Sequence, residues 1–297
     1  MPDERLKGIG LVALGAFFIS FSAVFVVWAN VGPTISAFYR MLIGGLILVG
    51  LAWFRGRPLW QGIQPLQFVG ICAFFISLDL VVWHASIFHI GPGLATIIAN
   101  FQVFVLGLAG IFWYGERPSI RLWVAIPVAL VGLFLLVGIE WEQADDAYKL
   151  GVGLALIAAV SYGIYILFLR QSQLNKTRLP VTANMGWISL SSALLMGSYG
   201  AFFGHSSFAI PDLQTWGALL GLGIFCQVLG WVSISSGLSK IDASTGGLIL
   251  LLQPSLAFIW DILFFGRPTS IYDVTGAVIA LSAIYLGITR KKKKSNR

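Results

Sequence analysis

The chain has 297 residues, of which 58% are apolar and only 10% are charged, and its net charge is +7. Soluble domains carry about 25% charged residues, so the composition excludes a soluble protein and predicts an integral membrane protein. A basic chain can also suggest nucleic-acid binding. That role is not expected here, because the positive charges lie in short segments between long apolar stretches.

Ten apolar stretches of roughly 20 residues follow one another, each long enough for a helix to cross a hydrocarbon layer of about 30 Å. They are residues 8–29, 33–54, 66–88, 92–114, 119–138, 151–170, 180–203, 213–237, 241–265 and 269–289. The first stretch is longer than the apolar core of a signal peptide and has no convincing cleavage site after it, so we expect it to be retained as a helix. The sequence therefore predicts an all-α integral membrane protein with ten transmembrane helices.

The distribution of positive charge predicts the orientation. Sixteen of the 19 Lys and Arg residues fall on the side of the N-terminus, while Lys149 and Arg267 fall on the other side and Arg40 lies within a span. The positive-inside rule then places both termini in the cytoplasm and the chain in the cytoplasmic (inner) membrane. The basic C-terminal tail is expected to contact anionic lipid head groups.

The second five spans repeat the first five, with matched landmarks in the same order. The matches are Leu66-Gln67 with Leu213-Gln214, Trp83 with Trp231, Ile90 with Ile241, Gln102 with Gln253, and Arg117-Pro118 with Arg267-Pro268. Because five is odd, the second half must enter the membrane from the opposite side, which predicts an inverted repeat around a central cavity, as in secondary transporters. The other explanation is that any two hydrophobic helices look alike.

The predicted organisation follows from these boundaries. The parts are a cytoplasmic N-terminus (1–7), a first five-helix repeat (8–138), an acidic outer loop (139–150), a second five-helix repeat (151–289) and a basic cytoplasmic tail (290–297).

Four short motifs carry a family resemblance over residues 8–289. They are Phe38-Tyr39-Arg40, Tyr114-Gly115-Glu116-Arg117-Pro118, Gln253-Pro254 and Phe265-Gly266-Arg267-Pro268. With them the chain resembles the drug/metabolite transporter superfamily in its ten-span EamA-type form. Two positions depart from that pattern, since Val103 replaces the proline usual after Gln102 and the glutamate usual after Gly266 is absent.

The resemblance implies a helical bundle with a central cavity that works by alternating access. Members of the superfamily move amino acids, drugs, nucleotide sugars and sugar phosphates. This chain is most similar to the amino-acid and drug exporters, including the aromatic amino-acid exporter branch. The fold alone does not give the substrate.

Two charged residues inside predicted spans are candidate site residues, because an ionisable group in hydrocarbon is costly unless it is paired or faces water. Arg40 comes seven residues after Pro33, hence roughly 10 Å below the outer helix end, and Asp79 lies at comparable depth in the next span. In one interpretation the two form a structural ion pair, or Arg40 snorkels to the interface. In the other, Arg40 binds a substrate carboxylate, and Asp79 binds an amine or carries a coupling proton.

Uncharged polar and aromatic residues complete the candidate set. The amides are Asn100, Gln102, Gln227 and Gln253, and the aromatic residues are Tyr39, Trp83, Tyr162, Tyr165, Trp187 and Trp231. Amides offer both donors and acceptors to a zwitterion, and aromatic walls suit apolar side chains and cationic drugs alike. The alternatives are hydrogen bonds between helices for the amides and core, lipid-facing or interfacial positions for the rings.

The sequence thus predicts an exporter of small organic solutes, most simply amino acids, with cationic drugs or other metabolites as the alternative. An intramembrane enzyme would need a nucleophile and a base, and a channel would need a continuous polar pore, and neither pattern is present. No catalytic residue, metal or cofactor is expected. The oligomeric state stays open. Glycines such as Gly44-Gly45, Gly107, Gly221 and Gly223 are expected to allow close helix approach, and Asp261 is expected to meet Arg267.

Overall fold

The computed structural model describes residues 2–102, 104–105, 108–109, 120–135, 141–142, 144–174, 179–202, 207–238, 240, 249–250 and 252–288. The motif at 114–118, Val103, Gly107, Ile241 and the basic tail lie outside these residues. The described part of the chain is helical and contains no strand. The predicted all-α membrane fold is therefore confirmed.

Twelve α-helices and a ten-residue π-helical segment make up most of this part of the chain. They are α1 (Pro2–Ser20), α2 (Ser22–Trp28), α3 (Pro33–Phe54), α4 (Gln64–Ile90), α5 (Pro92–Ala99), α6 (Ile120–Leu133), α7 (Asp146–Leu174), α8 (Val181–Phe202), α9 (Leu213–Leu220), the π-helical segment (Gly221–Gly230), α10 (Trp231–Leu238), α11 (Leu252–Phe265) and α12 (Ile271–Ile288).

Helix starts follow local chemistry. Pro33 opens α3 and Pro92 opens α5, positions where the missing N–H of proline costs no intrahelical hydrogen bond. Gly91 separates α4 from α5 with a φ of +81°, a left-handed conformation that favours glycine. Asp212 caps α9, and the side chain of Asn30 and the backbone N–H of Thr215, which donate to it over 3.0 and 2.7 Å, lower the pKa of its carboxyl.

Five helical stretches in the described residues are long and apolar enough to cross a membrane. They are Glu4–Trp28, Pro33–Phe54, Pro65–Ile90, Asp146–Leu169 and Leu213–Ile234. Helix α8 is as long as α3 but buries Asn184, Ser189 and Ser192 against its neighbours. Polar side chains packed between helices reduce hydropathy without exposing polar groups to lipid.

Helices from the two halves of the chain pack against each other. Helix α4 packs along α7, α3 along α8, and α6 along α12. The largest cluster of buried apolar residues draws on both halves. The core therefore lies between residues 8–138 and residues 151–289, which is where a site formed by both halves has to lie.

Small residues bring helices close together, as predicted for the glycines that the structure describes. An added Cβ at Gly44 would lie 2.3 Å from Gln227 Cγ, and one at Gly223 would lie 2.5 Å from Ile43 Cγ2. An added Cβ at Gly45 would lie 2.9 Å from the side chain of Leu190, and one at Gly221 would lie 2.8 Å from the ring of Phe25. The approach of α3 to the π-helical segment thus depends on the absence of side chains at two facing positions.

In the described residues, the first, fourth and eighth predicted spans are interrupted. The first breaks at Phe21 between α1 and α2, the fourth leaves α-helix at Asn100, and the eighth contains the π-helical segment. Irregular backbone at membrane depth is tolerated where it is buried in protein or lines a cavity, and π-helical turns occur frequently at functional sites. A functional site is therefore expected in the space between the three interruptions.

Candidate functional site

The three interruptions surround one cavity of about 90 Å³. Ten of the twelve residues predicted as site candidates line it. They are Arg40, Asp79, Trp83, Asn100, Gln102, Tyr162, Tyr165, Gln227, Trp231 and Gln253. Both members of the matched pairs Trp83 with Trp231 and Gln102 with Gln253 are among them. The cavity therefore receives polar and aromatic side chains from both halves of the chain.

Arg40 is held by an amide and a hydroxyl from the second half. Its side chain is buried on α3 and donates from Nε to Gln227 Oε1 over 3.3 Å. Gln227 in turn donates from Nε2 to Ser189 Oγ over 3.1 Å. This second bond fixes which end of the amide faces Arg40. The guanidinium is thus anchored through one nitrogen.

Asp79 is buried on α4 and lines the same cavity as Arg40, but the two do not form the ion pair that one sequence interpretation required. Among the residues that the structure describes, no cation lies within 4.0 Å of its carboxylate and no hydrogen bond reaches it. The cavity is therefore lined by one positive and one negative side chain that are not paired with each other.

Three more polar atoms at the cavity, Ser22 Oγ among them, have no hydrogen-bond partner in the described residues. Trp83 Nε1 and Gln102 Oε1 are both buried and lack a hydrogen bond. One is an obligate donor and the other an acceptor. A buried polar group left without a partner costs about 1–3 kcal/mol, so water or a bound solute would stabilise this arrangement.

The other two amides that line the cavity belong to Asn100 and Gln253. Asn100 donates from its side chain to Thr96 O over 2.8 Å, within its own segment. That bond occupies one of the two N–H donors of its amide. Gln253 lies half-buried at the start of α11, directly before Pro254.

An aromatic wall covers one side of the cavity. The rings of Tyr162 and Tyr165 stack with centroids 5.8 Å apart, and Trp231 meets Tyr162 edge-on at 6.4 Å. Such pairs stabilise one another by about 0.5–1.5 kcal/mol beyond their buried area. The wall is therefore pre-organised to contact an apolar or cationic group.

Tyr39 and Trp187 do not line this cavity. Tyr39 donates from its hydroxyl to Phe208 O over 2.8 Å, and Trp187 donates from Nε1 to Leu59 O over 2.9 Å. Both side chains thus fix connecting segments. Successive helix residues point about 100° apart, which is why Tyr39 cannot share the direction of Arg40.

Several polar residues at or near the site were not predicted. Ser20, Ser22 and Thr96 line the cavity, but Ser and Thr are common in membrane helices, where they bond to the preceding turn, as Thr96 does to Pro92 O over 2.7 Å. His84 was not predicted as a site residue either. It is fully buried, and its Nδ1 lies 2.8 Å from the hydroxyl of Ser36, which itself donates to Pro33 O.

A second polar contact lies toward one end of the bundle, about two helical turns from Gln253. Asp261 accepts from the backbone N–H of Gly93 over 2.9 Å, and Arg267 Nη1 lies 3.4 Å from Asp261 and donates to Ile90 O over 2.9 Å. The expected meeting of Asp261 with Arg267 is confirmed. We call this the Asp261–Arg267 contact. It joins the turn between α4 and α5 to the end of α11, and hence one half of the chain to the other.

Comparison with known proteins agrees with this architecture. The sequence model of the EamA-like transporter family matches residues 6–138 and 149–289. An uncharacterized transporter of Archaeoglobus fulgidus is 25% identical over 92% of this chain and 95% of its own length. The uncharacterized transporter sll1319 of Synechocystis is 26% identical over 87% and 86%, and PagO of Salmonella typhimurium 23% identical over 88% and 86%. One solved crystal structure shares the fold, with a TM-score of 0.68 over 96% of both chains at 18% identity.

The all-helical apolar fold and the polar cavity between its halves define an integral membrane transporter. The chain belongs to the EamA-like transporter family, because the family model covers nearly its whole length. It is therefore a secondary transporter of small solutes and works in a lipid environment.

Proposed function

We propose that this transporter exports small zwitterionic solutes, most simply amino acids, across the cytoplasmic membrane by alternating access. The observation that carries the proposal is that Arg40 and Asp79 line one cavity without forming an ion pair with each other. An amino acid carries a carboxylate and an ammonium group, which match a guanidinium and a carboxylate respectively. Both buried charges are then compensated by one solute.

The neutral groups support the same class of solute. Trp83 Nε1 offers an additional donor to a carboxylate, and Gln102 Oε1 offers an acceptor to an ammonium group. The rings of Tyr162, Tyr165 and Trp231 offer an apolar wall to the side chain. Aromatic amino acids are one group that such a wall accommodates, provided the cavity widens beyond its present volume of about 90 Å³.

Alternating access gives a role to the remaining features. With both termini in the cytoplasm, the Asp261–Arg267 contact lies on the outer side of the cavity, and it closes the outer path between α5 and α11. The two halves then act as inverted repeats that rock around the cavity. Contacts on one side must break as those on the other form.

Export of amino acids tests the proposal directly. Cells that produce the transporter and matched cells without it are fed dipeptides, and all twenty amino acids are measured in the medium. We expect one or a few amino acids to accumulate faster outside the producing cells. Equal accumulation in both cultures contradicts the proposal.

Export of cationic drugs is the alternative, favoured by the buried carboxylate of Asp79 beside aromatic rings. Arg40→Lys separates the two, because lysine keeps the charge but loses the planar fork that binds a carboxylate through two oxygens. For an amino-acid exporter, we expect Arg40→Lys to reach normal protein levels and to lower amino-acid export at least tenfold. An unchanged amino-acid export rate contradicts the carboxylate-binding role of Arg40, and loss of drug resistance alone supports the alternative.

A further inference from the structure

Arg40 is a buried cation that no acid neutralises at close range. It lies on α3, is 6% exposed and lines the cavity. Its Nε donates to the side-chain oxygen of Gln227 over 3.3 Å, and in the part of the chain that the structure describes no carboxylate lies within 4.0 Å of it. Its terminal nitrogens therefore keep their N–H groups for a solute that enters the cavity.

The residue that holds Arg40 is neutral. Charged side chains inside a membrane usually pair with one another, so an acid would be the ordinary partner here. Glutamate has the same size as glutamine, so the space beside Arg40 accommodates an acid, yet it is occupied by the amide of Gln227. The amide fixes the guanidinium by one hydrogen bond and leaves its positive charge uncompensated.

Ser189 determines which end of this amide faces the cation. Gln227 Nε2 donates to Ser189 Oγ over 3.1 Å, and Ser189 is buried on α8. Arg40 Nε is an obligate donor. A reversed amide would place its own N–H groups against that donor, so the bond to Ser189 favours the orientation in which the oxygen of Gln227 receives Arg40.

The backbone around Gln227 is adapted to bring its amide to this place. Gln227 is buried in the π-helical segment, in which hydrogen bonds from i to i+5 displace side chains around the axis relative to an α-helix. Gly44 lies four residues after Arg40 and hence on the same face of α3. An added Cβ at Gly44 would lie 2.3 Å from Gln227 Cγ. The stem of Gln227 thus crosses α3 where a side chain is missing.

From this arrangement we infer that Gln227 determines the charge selectivity of the transporter, as a positioning residue that holds Arg40 and leaves its charge available to the carboxylate of a zwitterion. The inference rests on the proposed function. With an acid in the place of Gln227, Arg40 would be compensated within the protein, and Asp79 would remain as the unpaired charge of the cavity. Such a cavity favours a cation over a zwitterion.

Amino acids and their α-amides are the probes that test this selectivity. An amino-acid amide keeps the ammonium group and the side chain but has no carboxylate, so it is a cation in slightly acidic buffer. Purified full-length protein in detergent is titrated with each of the twenty amino acids and with the corresponding amides, and thermal stabilisation gives the Kd. For the wild-type protein we expect at least one amino acid to bind tenfold or more tightly than its amide.

Gln227→Glu is expected to reverse this preference. The introduced carboxylate forms a charge-assisted hydrogen bond with Arg40, and Ser189 can donate its hydroxyl to an acid as readily as it accepts from an amide. We expect the Kd of the amino acid to rise at least tenfold and the amide to bind more tightly than the amino acid. Gln67→Glu, the same change on an exposed face of α4, is the control and is expected to keep the wild-type preference.

Ser189→Ala provides a second test that holds if Gln227→Glu does not fold. Loss of the acceptor lets the amide turn away from Arg40, so the Kd of the amino acid is expected to rise about fivefold or more. The Kd of the amide, which does not use Arg40, is expected to stay the same. Ser192→Ala is the matched control, since Ser192 is also buried on α8 but bonds to Ile188 O and Ala73 O. It is expected to change neither Kd.

The outcomes separate the inference from the proposed function. Absence of both amino-acid binding and amino-acid efflux in the wild-type protein overturns the proposed function, and the inference with it. Amino-acid binding that keeps its preference over the amide in Gln227→Glu overturns the inference and leaves amino-acid transport standing. Equal weakening of the amino acid and its amide in Ser189→Ala indicates a merely structural role and also overturns the inference.

Discussion

Residue identity at the cavity could be predicted where a side chain is unusual for a membrane interior. Arg40, Asp79 and the amides stand out in apolar stretches, and all of them line the cavity. Tyr39 and Trp187 were predicted as aromatic residues within spans and lie elsewhere, because position along a span does not give rotation about the helix axis. Ser20, Ser22 and Thr96 gave no signal, since small hydroxyl residues are ordinary in such helices.

Gly44 does not itself line the cavity, but its replacement tests the site through Gln227, which does. In Gly44→Ala the new Cβ would lie 2.3 Å from Gln227 Cγ, and 2.7 Å from its Cβ. We expect the displaced Gln227 to lose its bond to Arg40 and the protein to lose about 1–3 kcal/mol of stability through overpacking. The measurement is thermal unfolding in detergent, together with transport.

Gly50→Ala is the matched control, because it lies on the same helix with no atom within 4 Å of an added Cβ. It is expected to unfold at or slightly above the wild-type temperature, since alanine favours helix more than glycine does. Equal behaviour of the two variants would show that α3 and the π-helical segment are not tightly apposed at Gly44.

At the scale of elements, apolar length predicted where helices lie but not where they break. The second span was predicted at 33–54, and α3 is Pro33–Phe54. The breaks at Phe21 and Asn100 and the π-helical segment were not predicted, because hydropathy reports burial and not the pattern of backbone hydrogen bonds. Gly221, Gly223 and Gly230 mark the ends of that segment, but glycine also serves close packing.

The Asp261–Arg267 contact predicts how one end of the cavity is closed. Thr96 lines the cavity three residues beyond Gly93, so a cysteine there reports access from that end. In a background with Cys72 and Cys226 replaced by alanine, we expect Asp261→Asn to speed labelling of Thr96→Cys by an impermeant outer maleimide about fivefold or more, the factor for roughly 1 kcal/mol.

Asp273→Asn serves as the control for this labelling. Asp273 also faces Arg267, but at 3.8 Å and without contact to Gly93. We expect a smaller change in rate than for Asp261→Asn. Identical labelling rates in the parent and in Asp261→Asn would mean that the contact does not close the path.

For the whole molecule, the family and the all-α fold were predictable because composition, span count and internal repetition all agree. The pairing of helices from opposite halves was not, because apolar faces alone do not specify partners in a membrane. The inverted relation of the two halves and their orientation stay predictions.

Topology follows from the charge distribution and is testable in intact cells. A cysteine at Gln143, in the acidic loop, is expected to react with an impermeant maleimide, while one at Ser295, in the basic tail, is expected to react only after the cells are opened. The parent without cysteines controls for background. The reverse pattern would show that the protein has the opposite orientation in the membrane, with the Asp261–Arg267 contact on the cytoplasmic side.

The central claim is that solute passes through the cavity on a carrier, and counterflow measures this most directly. Proteoliposomes loaded with the twenty unlabelled amino acids are diluted into traces of the labelled ones, each tested in turn. We predict a transient accumulation of label above equilibrium that Trp83→Ala and Gln102→Ala reduce at least fivefold, while Leu46→Ala, on an exposed face of α3, does not. Label that only equilibrates, without overshoot, or an overshoot unchanged in the cavity variants, would contradict the account.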